Sequence, residues 1–174
     1  ITFSSDGKFL AYAQDGGEVT VYALRYAPTV SSSSTYIKGA DKIRSWLMNK
    51  KSYSKSVTSL SFSPDGQFLA VAYSDVIEIY NINNGNKTNT FTTLKKCHDV
   101  SFSPDGQYLA AGTEDGTAQI FSSVSGGHIA NLVTKKYNKS YTTLAIPSVV
   151  FSPDGQFLAL GNTNGIAYVF RTEI

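Results

Sequence analysis

The sequence offers few side chains that could carry out nucleophilic or acid–base chemistry. It has one cysteine and two histidines, and three candidate groups are consecutive: Cys97, His98 and Asp99. Adjacent residues of a β-strand point to opposite faces, so Cys97 and His98 cannot form a nucleophile–base pair if this segment is a strand. His128 lies in a different strand context. We therefore expect these groups to be structural, and we predict no enzymatic activity and no cofactor.

Four aspartates recur at the same place in a repeated phrase: Asp6, Asp65, Asp105 and Asp154. Each is followed by glycine and lies two residues after a serine, a pattern typical of a type I β-turn. A glycosidase-like carboxylate pair would need a separation of about 5–9.5 Å, whereas these aspartates belong to separate repeats. Turn capping is therefore the favoured role. No phosphate-binding, zinc-binding or calcium-binding motif is present, so no metal site is predicted.

Basic residues are concentrated in three segments, 29–56, 94–99 and 134–147. Together these segments carry 11 basic and 2 acidic residues, a net charge of +9, whereas the remainder of the chain has a net charge of −7. Each segment contains a Lys-Lys pair. The whole chain carries only +2, which argues against nucleic acid as its main partner.

The residues above are positioned by a fourfold repeat. The phrase Phe-Ser-Ser/Pro-Asp-Gly begins at Phe3, Phe62, Phe102 and Phe151, and each copy continues through two residues to Leu-Ala. An aromatic residue follows 18 or 19 residues after each phenylalanine, at Tyr22, Tyr80, Phe121 and Phe170. The residue pattern of each unit predicts a strand, a tight turn and an apolar strand that is covered on both faces. A second turn and a strand in which apolar and polar residues alternate follow. A weaker fourth strand is predicted at 88–93, at 128–133 and, for the first unit, within 29–40.

The segment 102–121 reads Phe-Ser-Pro-Asp-Gly-Gln-Tyr-Leu-Ala-Ala-Gly-Thr-Glu-Asp-Gly-Thr-Ala-Gln-Ile-Phe and resembles the WD-repeat β-propeller family. The resemblance covers nearly the whole chain except 25–56. It implies an all-β fold of four-stranded antiparallel blades. The expected blades are 1–40, 57–93, 98–133 and 148–174 in a single segment 1–174. The family's Trp-Asp and Gly-His signatures are absent at the expected places, so these blades should depend more on apolar packing between sheets.

The segment 41–56 is predicted to be a helical or loop insertion. Ile43, Trp46 and Leu47 have helical spacing over 41–50, and Asp41 is a candidate N-cap. Trp46 is expected either to pack on the propeller or to anchor a partner.

About four blades are present, with 15 of 16 strands. We interpret the chain as an open run of blades from a larger propeller. A closed ring of four blades and an eight-bladed ring of two copies remain alternatives. An uncovered blade face would be a large apolar patch, so further blades of the same protein or a second copy are expected partners.

The resemblance implies a non-catalytic protein interaction scaffold that presents one loop face. The connections carrying the lysine pairs should share this face with the acidic turns that follow the second strands, which would partly neutralise it. The alternatives are a propeller domain of a larger enzyme or of a TolB-like periplasmic protein, and a basic rim that binds anionic peptide, lipid or nucleic acid. The candidate partner-binding residues are Trp46, Lys50, Lys51, Lys95, Lys96, Lys135 and Lys136.

The remaining sequence features restrict membrane association and compartment. No apolar run approaches the roughly 20 residues that a membrane helix needs. The single cysteine excludes an internal disulfide framework and is compatible with the cytosol. Residue 1 is isoleucine and the only methionine is Met48, so the translation start is expected to lie outside this sequence.

Overall fold

The computed structural model describes residues 1–14, 16–24, 40–47, 56–134 and 144–172. Within these ranges every regular element is a β-strand, and fifteen strands form four antiparallel sheets. Strand order follows chain order in every sheet, as in a meander. The predicted all-β fold of propeller blades is confirmed. None of the described residues lies in a helix with the length and hydrophobicity needed to cross a membrane.

Each sheet is one blade. Among the described residues, blades 1 to 3 have four strands each and blade 4 has three. Blade 1 contains β1 (Thr2–Phe3), β2 (Phe9–Ala13), β3 (Glu18–Leu24) and β4 (Ala40–Leu47). Blade 2 contains β5 (Val57–Phe62), β6 (Phe68–Tyr73), β7 (Val76–Asn81) and β8 (Lys87–Thr92). Blade 3 contains β9 (Cys97–Phe102), β10 (Tyr108–Thr113), β11 (Thr117–Ser122) and β12 (His128–Val133). Blade 4 contains β13 (Ser148–Phe151), β14 (Phe157–Gly161) and β15 (Ala167–Arg171).

The repeated phrase forms the turn between the first and second strands of every blade. In blade 2 the Gly66 amide donates to the Ser63 carbonyl at 2.9 Å, which closes the turn. The Ser63 hydroxyl donates to Asp65, and Asp65 Oδ1 also accepts the Gln67 amide at 3.0 Å. The glycine has φ of +69°, a conformation that disfavours other residues. The same bonds recur in blades 1, 3 and 4, so the turn assigned to the phrase is confirmed.

Apolar packing joins each blade to the next. The second strand of blade 2 is buried on both faces, with Leu69 and Val71 facing blade 1 and Ala70 and Ala72 facing blade 3. The first strands of successive blades, β1, β5, β9 and β13, are neighbours and form the inner edge of the arrangement. Three buried apolar clusters fill the spaces between the four blades. The expectation of apolar packing between sheets is met in all three.

Polar side chains reinforce this packing at the inner edge. Asp99 on β9 accepts the Ser59 hydroxyl from β5 at 2.7 Å and the Val149 amide from β13 at 2.9 Å. It also accepts its neighbouring Val100 amide at 3.0 Å. The carboxylate therefore connects blades 2, 3 and 4. Asp99 has a structural role here, in agreement with the expectation for the Cys-His-Asp segment.

The helix predicted for 41–50 is wrong. Residues 40–47 form β4, which pairs antiparallel with β3, and Trp46 lies opposite Val19 in the register. The fourth strand of blade 1 was expected within 29–40, but it is formed by residues 40–47. A helix of about ten residues is marginal in water, whereas β4 satisfies the backbone groups along the outer edge of β3. The pairing partner is distant in sequence, so the local spacing of apolar residues could not reveal it.

The two end blades leave equivalent positions uncovered. The phenylalanine that starts each repeat is 58% exposed at Phe3 but 7–9% exposed at Phe62, Phe102 and Phe151. In each blade, the alanine of the repeated Leu-Ala pair lies on the second strand and pairs with one residue of the third strand. That third-strand residue is 66% exposed at Val169 but only 0–3% exposed at Val21, Ile79 and Ile120. In blades 2, 3 and 4 one face packs against the preceding blade, and the equivalent face of blade 1 is exposed. In blades 1, 2 and 3 the opposite face packs against the following blade, and the equivalent face of blade 4 is exposed. A closed ring of four blades would bury both faces, so that alternative does not describe this structure.

Candidate interaction surface

The Cys97–His98–Asp99 segment has no nucleophile available to solvent. Cys97 is fully buried, and its Sγ contacts the Asp99 carbonyl at 3.5 Å. Burial raises the pKa of the Cys97 thiol to about 12, so the thiol remains protonated at neutral pH. The Nε2 atom of His98 is buried without a hydrogen-bond partner among the described residues. The other histidine, His128, is exposed on β12, where its Nε2 bonds to Asn131 Oδ1 at 2.8 Å.

The four repeated aspartates serve as turn caps. The pKa of Asp6 is lowered to about 2, chiefly because its carboxylate accepts the Ser4 hydroxyl and the Lys8 amide. The pKa of Asp154 is lowered by the equivalent bonds from Ser152 and Gln156. Among the residues that the structure describes, no three His, Cys, Asp or Glu side chains are grouped so that they could hold a metal ion.

The connections between blades meet the turns that follow the second strands, and together they form one face, here called the connection face. The Cys97 amide donates to the Ser74 carbonyl at 2.6 Å, and the Ile146 amide donates to the Thr113 carbonyl at 3.0 Å. In both cases the start of one blade is bonded to the turn of the preceding blade. The Glu114 amide in turn donates to the Lys96 carbonyl at 2.9 Å. For the connection that carries Lys95 and Lys96, the lysines and an acidic turn therefore share a face; the lysine pairs of the other two connections lie outside the described residues.

Residues 94–96 form an exposed loop on this face, between β8 and β9. Lys95 and Lys96 are both exposed, and Leu94 before them is 68% exposed. Leu94 is therefore an apolar side chain presented to solvent beside two cations. Sequence reasoning identified the two lysines but not Leu94, because one leucine beside a turn is equally consistent with a buried anchor.

The backbone of the 94–96 loop is fixed at several points. The Thr93 amide donates to the Asp75 carbonyl at 2.8 Å, and its hydroxyl donates to the Lys95 carbonyl at 2.7 Å. The Leu94 amide donates to Oε1 of Gln119 at 3.3 Å. Gln119 is only 2% exposed on β11, so a buried side chain of blade 3 holds the loop that leads into that blade. The loop presents its three side chains from a preorganised backbone.

Acidic residues lie beside the lysines. Glu114 is exposed and follows β10 at the point where its amide bonds to Lys96. Asp115 is partly buried and accepts the Thr113 hydroxyl at 2.6 Å and the Thr117 amide at 3.2 Å. The described part of the connection face therefore has mixed charge rather than a continuous basic rim.

The remaining candidate residues have different outcomes. Lys50, Lys51, Lys135 and Lys136 lie outside the described residues. Trp46 lies on β4, and its side chain is outside the described set. Arg44, one of the basic residues counted in 29–56, is directed away from the connection face. Its Nε donates to the Ile82 carbonyl at 3.2 Å and its Nη2 donates to the Asn83 carbonyl.

Two family models match the chain. Residues 33–98 match the model described as the anaphase-promoting complex subunit 4 WD40 domain. Residues 85–122 match the model described as the WD domain, G-beta repeat. Both matches support a WD-repeat family. None of the curated proteins compared with the chain gives a significant match.

The matched WD repeat is offset from the structural blade. It starts just before β8, the last strand of blade 2, and ends with β11, the third strand of blade 3. One WD repeat of this chain therefore spans two blades, and the 94–96 loop lies inside it rather than between repeats. WD repeats generally mediate contacts between proteins and are typically non-catalytic.

Proposed function

We propose that this chain is a non-catalytic scaffold that presents its connection face to a protein partner, with the 94–96 loop at the centre of the contact. The observation that supports this most directly is the combination of an exposed Leu94, two exposed lysines and a fixed backbone. A preorganised loop loses less conformational entropy when it binds than a flexible one. The match to a domain named after a subunit of a complex also supports an assembly role.

The charges favour a partner surface that carries carboxylates or phosphates next to an apolar patch. Lysines steer an acidic partner toward the loop, and Leu94 contributes apolar area that is removed from water on contact. The exposed Glu114 disfavours a uniformly acidic surface, because it would face like charge. A mixed protein surface therefore suits this site better than a lipid headgroup layer or a nucleic acid backbone.

The test compares two double variants that change the net charge equally. Lys95→Ala with Lys96→Ala removes two positive charges from the loop. The control, Asn84→Asp with Ser125→Asp, adds two negative charges to exposed turns at the other end of blades 2 and 3. Each tagged protein is used as bait in cell extract, and captured proteins are quantified by mass spectrometry.

We expect at least one captured protein to be lost with the loop variant and retained with the control. Equal capture by both variants would overturn the proposed contact. Phosphatidylserine vesicles and duplex DNA are tested in parallel over a range of salt concentrations. Binding of either that requires Lys95 and Lys96, without a captured protein, would favour the anionic-surface alternative instead.

We also infer that the exposed faces of blades 1 and 4 are blade contacts, covered by further blades of the same protein or by a second copy. Phe3 and Val169 occupy positions whose equivalents are buried between blades everywhere else. The mass of the chain in solution tests a second copy. A dimer that Phe3→Glu or Val169→Glu dissociates, but that Val133→Glu on β12 does not, would support it. A monomer at all concentrations would rule the second copy out.

A further inference from the structure

A groove of about 470 Å³ opens between blades 2 and 3, at the end of the blades opposite the connection face. Binding cavities for small ligands typically have volumes of roughly 300–1,000 Å³. Its floor is formed by Phe68, Ile79 and Phe102, and its rim includes Asp65, Asp105 and the exposed Val124. All these residues belong to described parts of the chain, and none takes part in the proposed contact at the 94–96 loop.

The walls of the groove are fixed by the repeat turns. Gly106 lies in the turn of blade 3 with φ of +73°, and the position of an added Cβ would be 3.5 Å from Pro64 in the turn of blade 2. A Cβ at this position would lie at ordinary van der Waals distance from Pro64, so the two turns pack directly against each other. Asn89 on β8 donates to the Ser123 carbonyl, which joins the two blades beside the groove. The groove is thus a preformed feature of the interface between blades.

The rim of the groove carries two carboxylates. Asp65 and Asp105 each use Oδ1 to cap their own turn, and the Oδ2 atom of each has no partner among the described residues. No Lys, Arg or His side chain is among the residues that line the groove. An apolar floor with two acidic groups above it is complementary to an apolar side chain next to a cation.

The interface between blades 3 and 4 provides an internal comparison. The equivalent space is divided into an inner pocket of about 480 Å³ and an outer pocket of about 230 Å³. Tyr108 stands in the inner pocket where Phe68 stands in the groove, and Gln156 adds a polar group there. Thr172 corresponds to Ser123 of the groove, since each donates to the glycine carbonyl of its own repeat turn. Arg171 lies in the outer pocket and places a cation next to the apolar residues. The groove between blades 2 and 3 therefore differs in lining and shape from its equivalent between blades 3 and 4.

We propose that this groove binds a short extended segment of a partner protein in which a large apolar residue lies within two positions of a lysine or arginine. The apolar side chain occupies the floor formed by Phe68, Ile79 and Phe102. The cation lies between Asp65 and Asp105. The segment is a second point of attachment for the scaffold, at the opposite end of the blades from the 94–96 loop.

The experiment selects phage-displayed random heptapeptides on the intact chain and measures the enriched peptides by fluorescence anisotropy. The test variant is Asp65→Asn with Asp105→Asn, because asparagine keeps the Oδ1 acceptor that each turn requires. The matched control is Asp6→Asn with Asp154→Asn, which removes two charges from the same turns of blades 1 and 4. Circular dichroism confirms that both variants are folded.

We expect enriched peptides to combine a large apolar residue with Lys or Arg. Their affinity should fall about three- to tenfold in the Asp65/Asp105 variant, stay within twofold in the control and fall when the peptide's cation is replaced by glutamate. Failure to enrich any sequence, or equal affinity for both variants, would overturn the proposal. Light scattering is measured in parallel. A mass that doubles in the wild type and returns to monomer in the Asp65/Asp105 variant would assign the groove to a second copy, which also overturns it.

Discussion

Replacing Gly112 by alanine tests whether blade 4 is held against blade 3 as tightly as the structure indicates. Gly112 lies on β10, and a Cβ atom there would be 2.5 Å from the Ile146 carbonyl oxygen. It would also be 2.8 Å from Ile146 Cγ2 and 2.9 Å from Val149 Cγ1. Ile146 is fully buried, and its amide is bonded to the Thr113 carbonyl at 3.0 Å. The added methyl group therefore cannot be accommodated by moving one flexible side chain.

The expected cost combines two opposing effects. Overpacking of a close-packed core costs about 1–3 kcal/mol. The φ angle of Gly112 is outside the left-handed region, so alanine lowers the entropy of the unfolded chain and returns about 0.4–1 kcal/mol. Because one of the contacted atoms is a backbone oxygen, overpacking dominates. We expect Gly112→Ala to lower the free energy of unfolding by about 1–2 kcal/mol.

The assay is urea denaturation followed by far-ultraviolet circular dichroism. Gly161→Ala is the matched control, because Gly161 occupies the same position in blade 4 and its nearest neighbour would be Ser148 Cβ at 3.8 Å. That variant should be as stable as the wild type or slightly more stable. If Gly112→Ala is as stable as Gly161→Ala, the close approach of residues 146–149 to blade 3 is refuted.

Three further predictions concern polar groups that are buried or partly buried. Asp99→Ala leaves the Val149 amide without its acceptor and should cost about 1–3 kcal/mol in urea denaturation, more than Ser59→Ala; equal costs would contradict the three-blade role. Cys97 should resist a thiol reagent at pH 8 in the folded chain and react after unfolding; rapid labelling of the folded chain would show that it is not buried. Burial opposes ionisation of Glu78, but hydrogen bonds from Lys87, Tyr80 and Tyr73 outweigh it and hold its pKa below 4.5. Its stabilisation should therefore be complete above pH 4.5 and lost as pH falls through the lower pKa of the folded state, so the difference between wild type and Glu78→Gln should shrink toward acid pH; a constant difference would contradict this.

The turns and most strands could be predicted from the sequence because their causes are local. Ser63, Asp65 and Gly66 bond to one another and to the next two residues, so the four-residue phrase contains all the information for the turn. The alternation of apolar residues along β7 likewise places Ile77 and Ile79 on one strand face, where both are buried. The expected alternation of Cys97 and His98 along a strand was also a local inference, but the register of β9 against β10 shifts at these residues.

The errors and omissions involve partners that are distant in sequence. Residues 40–47 form a strand because β3 offers a free edge, and the apolar spacing of this segment fits a short helix equally well. Arg44 was counted with the basic segments, but its guanidinium donates to backbone carbonyls of the turn between β7 and β8. Leu94 is exposed because the loop is held by Gln119, which lies 25 residues further along the chain.

The sequence by itself determined the repeating unit: four copies of a turn and the strands on either side. These features follow from residues close together in the chain. Only the tertiary structure decided which copies of an equivalent residue are covered. Phe3 and Phe62 are identical in their local phrase, but one is exposed and the other buried, because a blade precedes Phe62 in space and none of the described residues covers Phe3. The groove between blades 2 and 3 arose in the same way, since its floor and rim come from strands and turns of two blades that meet only after folding.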